Sequence, residues 1–599
     1  MFLPTSIDEA RARGWKALDV VLVTGDAYID SAYIGASVIG HVLADRGYRV
    51  GIIAQPDPGR PEDILRLGEP ELFWGVTSGC TDSMVANYTA LKKRRHRDDL
   101  TAGGLNTRRP DRALIAYANL IRRFARGRAP IVLGGIEASL RRIAHYDYWN
   151  DAVRRSVLFD AKADLLIYGM GERAVVEVAE CLRNGVAPHD VRGLCRIAHA
   201  PKKEYCELPP FEEAARDKAA FERMFMLFAA NSDPLTARGL VQKHGNRYLI
   251  QNPPAHGLTP RELDHVYELP YERDVHPRCM ALGEVRALET IRFSITTHRG
   301  CCGQCNFCSI ALHQGSAVVS RSEASILKEA SAITRHSGFG GLIHDVGGPT
   351  ANMYGITCTK TGRTGSCADR RCLHPSACRR LLPAHRRQKH VLERLRKLPG
   401  VKKVFVASGI RHDLVLADNR YGEAYLEEIV AHHVSGQMKV APEHCSGSVL
   451  KLMGKPPAGK LLEFRNLFNR LNSTLGKKQF LTYYFLAAHP GCTMGDMTAL
   501  GRFAAGELRM QPEQVQIFMP TPSTYSTLMY YTGRNPFTGE PLFVERDLTK
   551  KQLQKRALKR DDRPGAPRRT AVRKDRSRTP RSAAPAGPAY RSRVKKRKG

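Results

Sequence analysis

No run in this chain approaches the ~18 apolar residues that a helix needs to cross a bilayer. Its first residues, MFLPTSIDEARARGW, lack the basic stretch leading into an apolar one that marks a secretory signal. Both absences point to a cytoplasmic protein with no membrane partner. Cysteine is scarce, 15 in 599 residues and odd in number, which excludes a disulfide scaffold. Acidic residues are also in deficit, 59 against 93 Lys and Arg, for a net charge of +34. Half of that excess sits in residues 550–599, which hold 20 basic and three acidic side chains. The body therefore carries only a mild excess, and the tail does not decide what the body does. Apolar residues at 42% and charged residues at 25% describe a globular chain. At ~100–200 residues per domain the length suggests three or four units, of which one barrel can take about 250.

Residues 1–200 alternate apolar strands with amphipathic helices. Strand-length apolar runs occur at 19–25 (DVVLVTG), 48–54 (YRVGIIA), 72–78 (LFWGVTS), 131–135 (IVLGG) and 164–169 (DLLIYG). Helical spacing marks 32–46 and 110–126, the latter opening on Pro110. Such alternation predicts a parallel, doubly wound, Rossmann-like sheet with ligand sites at the carboxyl ends of its strands. Residues 201–288 lose the alternation and gain proline, as in NPPAHGLTPRELDHVYELP, and read as an irregular connecting segment. From 289 to 545 the alternation returns. IRFSIT, GLIHDV, KKVFVAS, GQMKVA, QFLTYYFLA and QVQIFMP are six strand candidates separated by helical stretches, with Ser320 and Glu323 as an expected capping box before the first helix. Six βα units predict a full or partial barrel whose chemistry sits at the strand ends. Residues 546–599, dominated by Arg, Lys, Pro, Ala and Ser, cannot bury enough to order themselves and read as a disordered basic tail.

The sharpest chemical signal is HRGCCGQCNFCSI, directly after the first of these later strands. Cys301, Cys305 and Cys308 form CxxxCxxC on a loop, with aromatic Phe307 before the last cysteine. Three such thiolates can hold three irons of a 4Fe-4S cluster and leave the fourth iron open. The bland alternative is a zinc loop with His298 or Cys302 as fourth ligand, and Cys302 also offers a shifted register with Cys305. A second group, Cys358, Cys367, Cys372 and Cys378, lies in an insert over 355–380. Its spacings fit neither a zinc ribbon nor a finger. An auxiliary Fe-S cluster, a structural zinc and unligated or redox-active thiols all stay open there.

CxxxCx(aromatic)C after the first strand of a βα barrel resembles the radical S-adenosylmethionine (SAM) superfamily. The strings LGGIEASLRRIAHYDYW, GMGERA, TTHRGCCGQCNFCSIALHQG, SRSEASIL, HDVGGPTANMYG, MKVAPEH and MPTPSTYSTLMYYTG together resemble the YgiQ family of radical SAM proteins, from about residue 15 to about 540. The resemblance implies a reduced 4Fe-4S cluster on Cys301, Cys305 and Cys308. It binds SAM at the open iron, cleaves it to a 5′-deoxyadenosyl radical and so starts a reaction on a substrate that the resemblance leaves unspecified. An electron donor such as a flavodoxin or ferredoxin is then expected. Gly347 and Gly348 resemble the glycine-rich motif that meets the SAM amino group, although Pro349 and Thr350 stand where an acidic residue often follows. With the strand-end residues Ser408, Arg411 and Glu443, and with Phe307, they make up the candidate SAM site. Arg411 is suited to a carboxylate and Glu443 to a ribose; Lys439, His444 and His489 are further strand-end residues.

The N-terminal sheet resembles the cobalamin-binding domains that precede many radical SAM barrels. The Asp-x-His-x-x-Gly pattern that supplies an axial histidine is missing, since Asp26 is followed by Tyr28 and Ser31. Cobalamin is therefore unsupported by that motif. The basic tail could contact RNA or the ribosome through counterion release, with Tyr590 its one aromatic residue. The reading from another functional class is a non-catalytic, metal-containing nucleic-acid binder in which the barrel is only a scaffold.

Overall fold

The structure is a computed structural model, and it describes residues 1–360, 364–367 and 370–558. Residues 1–559 cluster as one compact unit. The basic tail beyond residue 558, and with it the expected RNA contact, lies outside the described residues. The residues just before it do not belong to a tail. Leu548–Ala557 is a helix capped by Asp547, with Lys551 and Gln554 buried. The sequence reading placed the boundary too early because this helix turns two polar side chains inward.

The first five sheet strands are β1 (Val20–Thr24), β2 (Val50–Ala54), β3 (Phe73–Thr77), β4 (Ile131–Gly134) and β5 (Leu165–Ile167). They pair in parallel in the order β2-β1-β3-β4-β5. Every residue of β1 and β2 is buried, as expected of a parallel sheet covered on both faces. Val21 and Val23 point into one core and Val20 and Leu22 into the other, the period-2 alternation of a strand.

The connecting segment is not irregular. It supplies β7 (Cys206–Leu208), β8 (Leu240–His244) and β9 (Arg247–Gln251), which join β6 (Leu194–Ala198) to extend the sheet to nine strands, β7-β8-β9-β6-β5-β4-β3-β1-β2. β8 and β9 form an antiparallel hairpin across Gly245 and Asn246, with Gly245 at φ 62°. The prolines that suggested irregularity sit outside these strands, before, inside and just after the capped helix Pro260–Glu268.

Six parallel βα units follow in sequential order. β10 (Ser294–Thr296) pairs with β12 (Asp345–Gly347). β11 (Leu342–Ile343), separated from β12 by His344, pairs with β13 (Lys403–Val404). β14 (Gln437–Glu443), β15 (Phe480–Ala487) and β16 (Gln514–Ile517) continue the series, joined to the third unit by a parallel bridge from Ile410 to Val440. Among the described residues no pairing joins β16 back to β10, so the barrel is partial. The helix Glu323–Thr334 is capped by Ser322, whose hydroxyl accepts from Ser325 N–H, and not by Ser320. The Ser320 hydroxyl instead accepts from Gly355 N–H at 2.8 Å. Among the described residues no helix is long and apolar enough to cross a membrane.

Candidate functional site

The carboxyl ends of both strand sets face one cavity of about 440 Å³. From the sheet it takes Leu22 of β1, Phe73, Gly75, Val76 and Thr77 of β3, Val132–Gly134 of β4 and Ile167 of β5. The turns after those strands add Gly79, Gly135, Gly169 and Gly171. Strand order reverses between β1 and β3, the switch point at which a doubly wound sheet leaves a crevice for ligand. At Gly134 a Cβ would meet nothing within 4 Å, so its backbone lies open to the cavity. Gly135 differs: it has φ 84° and an added Cβ would stand 2.4 Å from Thr77 Oγ1.

The barrel supplies the opposite wall with Thr296, His298, Arg299, Asp345, Gly347, Gly348 and Ser408. Ser408 donates its hydroxyl to the Asp345 carboxylate, which also accepts from the backbone N–H of Ala407 and Ser408 at 2.8 and 3.1 Å. Gly348 packs on His298, whose Nε2 would stand 2.7 Å from any Cβ there, so only glycine fits. His298 is fully buried and burial lowers its imidazole to about 4, so the ring is neutral at neutral pH. Across the seam between the two walls, the buried Arg299 guanidinium donates to the Glu172 carboxylate, joining the cysteine-bearing loop to the helix Glu172–Arg183. His313, another lining residue, holds Ser139 Oγ at 3.0 Å.

Cys301, Cys305 and Cys308 lie on the loop between Arg299 and the short helix Ile310–Gln314, and their side chains are not part of the cavity lining. Arg411 is buried, bound to Asp413 through two hydrogen bonds of 2.8 and 2.7 Å, and its third nitrogen donates to Cys305 Sγ at 3.5 Å. Burial works against its charge, but Asp413 and then the thiols of Cys305 and Cys301 outweigh it and hold the guanidinium protonated. Thr350 Oγ1 stands 3.6 Å from Cys301 Sγ. Burial, reinforced by Cys305, pushes the Cys308 thiol up to about 12, so a thiolate there needs a bound cation to form. Three sulfurs on one loop beside a fixed cation suit an iron–sulfur cluster. Among the described residues no three His, Cys, Asp or Glu side chains are grouped to hold a single ion.

The candidate SAM residues divide. Gly347, Gly348 and Ser408 line the cavity. Arg411 spends its bidentate face on Asp413. Glu443 faces Lys455 Nζ at 3.5 Å, with burial raising its carboxyl against that ammonium. Phe307 packs edge-on toward His489, with centroids 6.3 Å apart. These three lie outside the cavity lining. Sequence reasoning missed the Glu172–Arg299 pair, although both residues fall in strings it singled out, GMGERA and TTHRG. It also missed Cys80, which lines the cavity while its backbone N–H donates to Asp26 at 2.7 Å. Asp26 itself is buried and paired with Arg109 at 2.6 Å. His444 and His489 are both fully buried, and His489 Nε2 is bound to Ser526 Oγ at 2.7 Å.

Comparison with known proteins places the chain. A family model described as "Radical SAM N-terminal" matches residues 2–294, and one for a domain of unknown function matches 513–574. The chain is 54% identical over 555 residues to a UPF0313 protein of Fusobacterium nucleatum, covering 92% of this chain and 98% of the relative. It is 48% identical over 551 residues to one from Thermotoga neapolitana, covering 92% and 96%. Solved structures of more distant likeness include the radical SAM methyltransferase TsrM from Kitasatospora setae, with cobalamin and a 4Fe-4S cluster bound (TM-score 0.49, 15% identity, 85% of this chain and 77% of that one). Another is the cobalamin-dependent SAM radical enzyme OxsB (TM-score 0.47, 12% identity, 89% and 58%). The family-model match over residues 2–294 gives the class, that of radical SAM enzymes, whose members bind a 4Fe-4S cluster and SAM. Within it, the chain belongs to the UPF0313 family, the YgiQ family.

Proposed function

We propose that Cys301, Cys305 and Cys308 hold the cluster, and that SAM lies in the cavity against Gly347, Gly348 and the Asp345–Ser408 pair. The observation that carries this reading is that the residues flanking the cysteine loop, Arg299 and Ile310, line the same cavity as the β12 end. When bound and reduced, the cluster supplies the electron that cleaves SAM. The chain's own part is to hold the thiolates, through Arg411 beside Cys305, and to offer the glycine backbone of Gly347 and Gly348. It also excludes water by closing the barrel mouth with the sheet. The sheet end of the cavity then receives the substrate. A one-electron donor of the flavodoxin or ferredoxin type, and a cytoplasmic setting, complete the reading.

A corrinoid at the sheet end is the second reading, favoured by the open backbone of Gly134 at the end of β4, where an added Cβ would meet nothing within 4 Å. Among the described residues the sheet wall supplies no histidine to the cavity lining, so no imidazole from that side would hold such a ligand. Retention of aquocobalamin after desalting, read by its visible spectrum, decides for or against it.

The main test is anaerobic. Reconstituted protein, dithionite and SAM should yield 5′-deoxyadenosine, and Cys301→Ala/Cys305→Ala/Cys308→Ala should yield none above background. Turnover by the triple variant would sink the assignment.

A further inference from the structure

The segment between β12 and β13 is strongly basic. Residues 346–392 hold nine Lys and Arg side chains against one Asp. Arg370, Arg379, Arg380, Arg386 and Arg387 are exposed there, and among the described residues none of them joins an ion pair. The body's other basic stretch differs. Residues 92–128 hold twelve Lys and Arg against three Asp, but Arg94, Arg109, Arg112 and Arg122 are each engaged by a carboxylate. Like charges left unpaired in one cluster repel one another, so the cluster gains from an anionic partner. Leu382, in the same segment, is 48% exposed and gives the charged patch an apolar point.

The backbone gathers this patch and ties it to the cysteine loop. Cys378 N–H donates to the Cys372 carbonyl at 2.8 Å and Leu381 N–H to the Cys378 carbonyl at 3.0 Å, which sets the chain at 370–372 beside that at 379–382. Leu382 belongs to a short strand, Leu381–Leu382, paired antiparallel to Thr357–Cys358. Its neighbour Leu381 is buried in an apolar cluster with Cys302, Met353 and Leu373, against which Cys301, Cys358, Cys372 and Cys378 pack. Among the described residues the insert's cysteines, Cys367 included, are not grouped to hold a single ion. Arg371 donates to the Gln304 carbonyl at 2.7 Å, next to Cys305, and its guanidinium lies 5.8 Å from the ring of Phe537, which is also exposed. Burial first, and then the charges of Arg371, Arg411 and Lys451, hold the His374 imidazole below its ordinary value. Positive charge thus runs inward from the surface to Arg411, the side chain that donates to Cys305. None of the residues 351–407 lines the cavity.

We infer that the patch bearing Arg370, Arg379, Arg380 and Leu382 is the docking surface for an acidic one-electron donor protein. The inference rests on the reading of Cys301, Cys305 and Cys308 as cluster ligands and says where their electron enters. Charge complementarity selects the partner and speeds its approach, and an apolar point inside a charged rim is the usual build of a transient interface. The donor loses one electron in each encounter and the centre on the triad gains it; no bond forms and no proton moves. Nucleic acid is also drawn to unpaired arginines. A nucleic-acid substrate, however, must reach the cavity, which this segment does not line, whereas an electron donor need only reach the cysteine loop.

The test reads the contact and its use separately, on anaerobically reconstituted full-length protein. A dye-labelled flavodoxin of net negative charge is titrated and its binding followed by fluorescence anisotropy. Product 5′-deoxyadenosine is then compared between photoreduced flavodoxin and dithionite as reductants. Arg379→Glu/Arg380→Glu is expected to bind flavodoxin at least about tenfold more weakly and to lose a similar factor in flavodoxin-driven product, with dithionite-driven product unchanged. Arg379→Gln/Arg380→Gln, which removes the charges without reversing them, should fall between it and the wild type. Added KCl should weaken wild-type binding and change variant binding little, because it screens exposed charges. Lys93→Glu/Arg97→Glu makes the same charge change on the other basic stretch and should leave binding intact. Equal weakening by both reversal variants, or wild-type affinity in Arg379→Glu/Arg380→Glu, overturns the proposal. So does lost binding of a labelled single-stranded RNA of mixed sequence with flavodoxin binding kept, which marks a nucleic-acid surface. Failure of the triad reading shows instead as no product with either reductant, and the anisotropy titration then decides the surface by itself.

Discussion

The two walls of the cavity are built by the same device, parallel strands that end together, and equipped in opposite ways. The sheet wall is mostly apolar side chains and glycine backbone, Leu22, Val132, Gly134 and Gly169 among them. The barrel wall is polar, with Asp345, Ser408, His298 and Arg299, and it adjoins the cysteine loop. The contrast assigns shape to one wall and chemistry to the other. It also explains why the seam carries a buried ion pair: Glu172 is the sheet side's charged partner for the loop that must stay in register with it.

The seam offers the largest test of that division. Arg299→Met leaves Glu172 buried without its cation and should cost about 3–5 kcal/mol in chemical denaturation. Arg299→Met/Glu172→Met should regain most of it. If the single variant costs nothing, the pair does not fasten the walls. The C-terminal helix gives the next effect. Lys551 Nζ is buried against the hydroxyls of Tyr148 and Tyr530 at 3.3 and 3.0 Å. Burial, then Lys92 and Arg546, lowers its ammonium from 10.5 to about 8. Between those values the unfolded chain holds a proton that the folded chain has lost, so stability rises with pH across that window, by up to about 3 kcal/mol. Lys551→Met should flatten the rise, read as the difference between variant and wild-type unfolding curves at pH 8 and 10.

The sheet wall itself is sharpened by Gly134→Leu. Its backbone φ of −154° suits any residue and the added side chain meets only cavity. An unchanged Tm with about 100-fold less 5′-deoxyadenosine is expected. Gly135→Leu, strained and pressed on Thr77, should lose stability instead. If both behave alike, the wall does not act by shape. On the barrel wall, Ser408→Ala removes one of three donors to Asp345 and should cost only about 1 kcal/mol, with a modest rise in KM for SAM.

Much of the architecture was legible because buried parallel strands are short apolar runs stopped by glycine. DVVLVTG and IVLGG gave β1 and β4, and the six later runs gave the barrel in order. The 201–288 segment was misjudged because its prolines were weighed above LVQKH and RYLIQ, two strand-length runs separated by Gly245 and Asn246, a hairpin signal. The cysteine triad stands out in the sequence because its three thiols are local. The cavity was not, since its walls converge from residues more than 300 positions apart, and no spacing rule reports such convergence. Arg411 and Glu443 were read as free strand-end groups because a sequence does not show that Asp413 and Lys455 already engage them.

The helix at Leu548–Ala557 also fixes an order of events in the cell. Its Lys551 reaches Tyr148, 403 positions earlier in the chain, and its Gln554 accepts from Ala488 N–H and donates to the Cys492 carbonyl. At ~5–20 residues per second a ribosome takes on the order of 20–80 s to make the stretch between Tyr148 and its partner. For that time the segment around Tyr148 is without this contact, so its buried hydroxyl gains its Lys551 partner only once the C-terminal helix has been made.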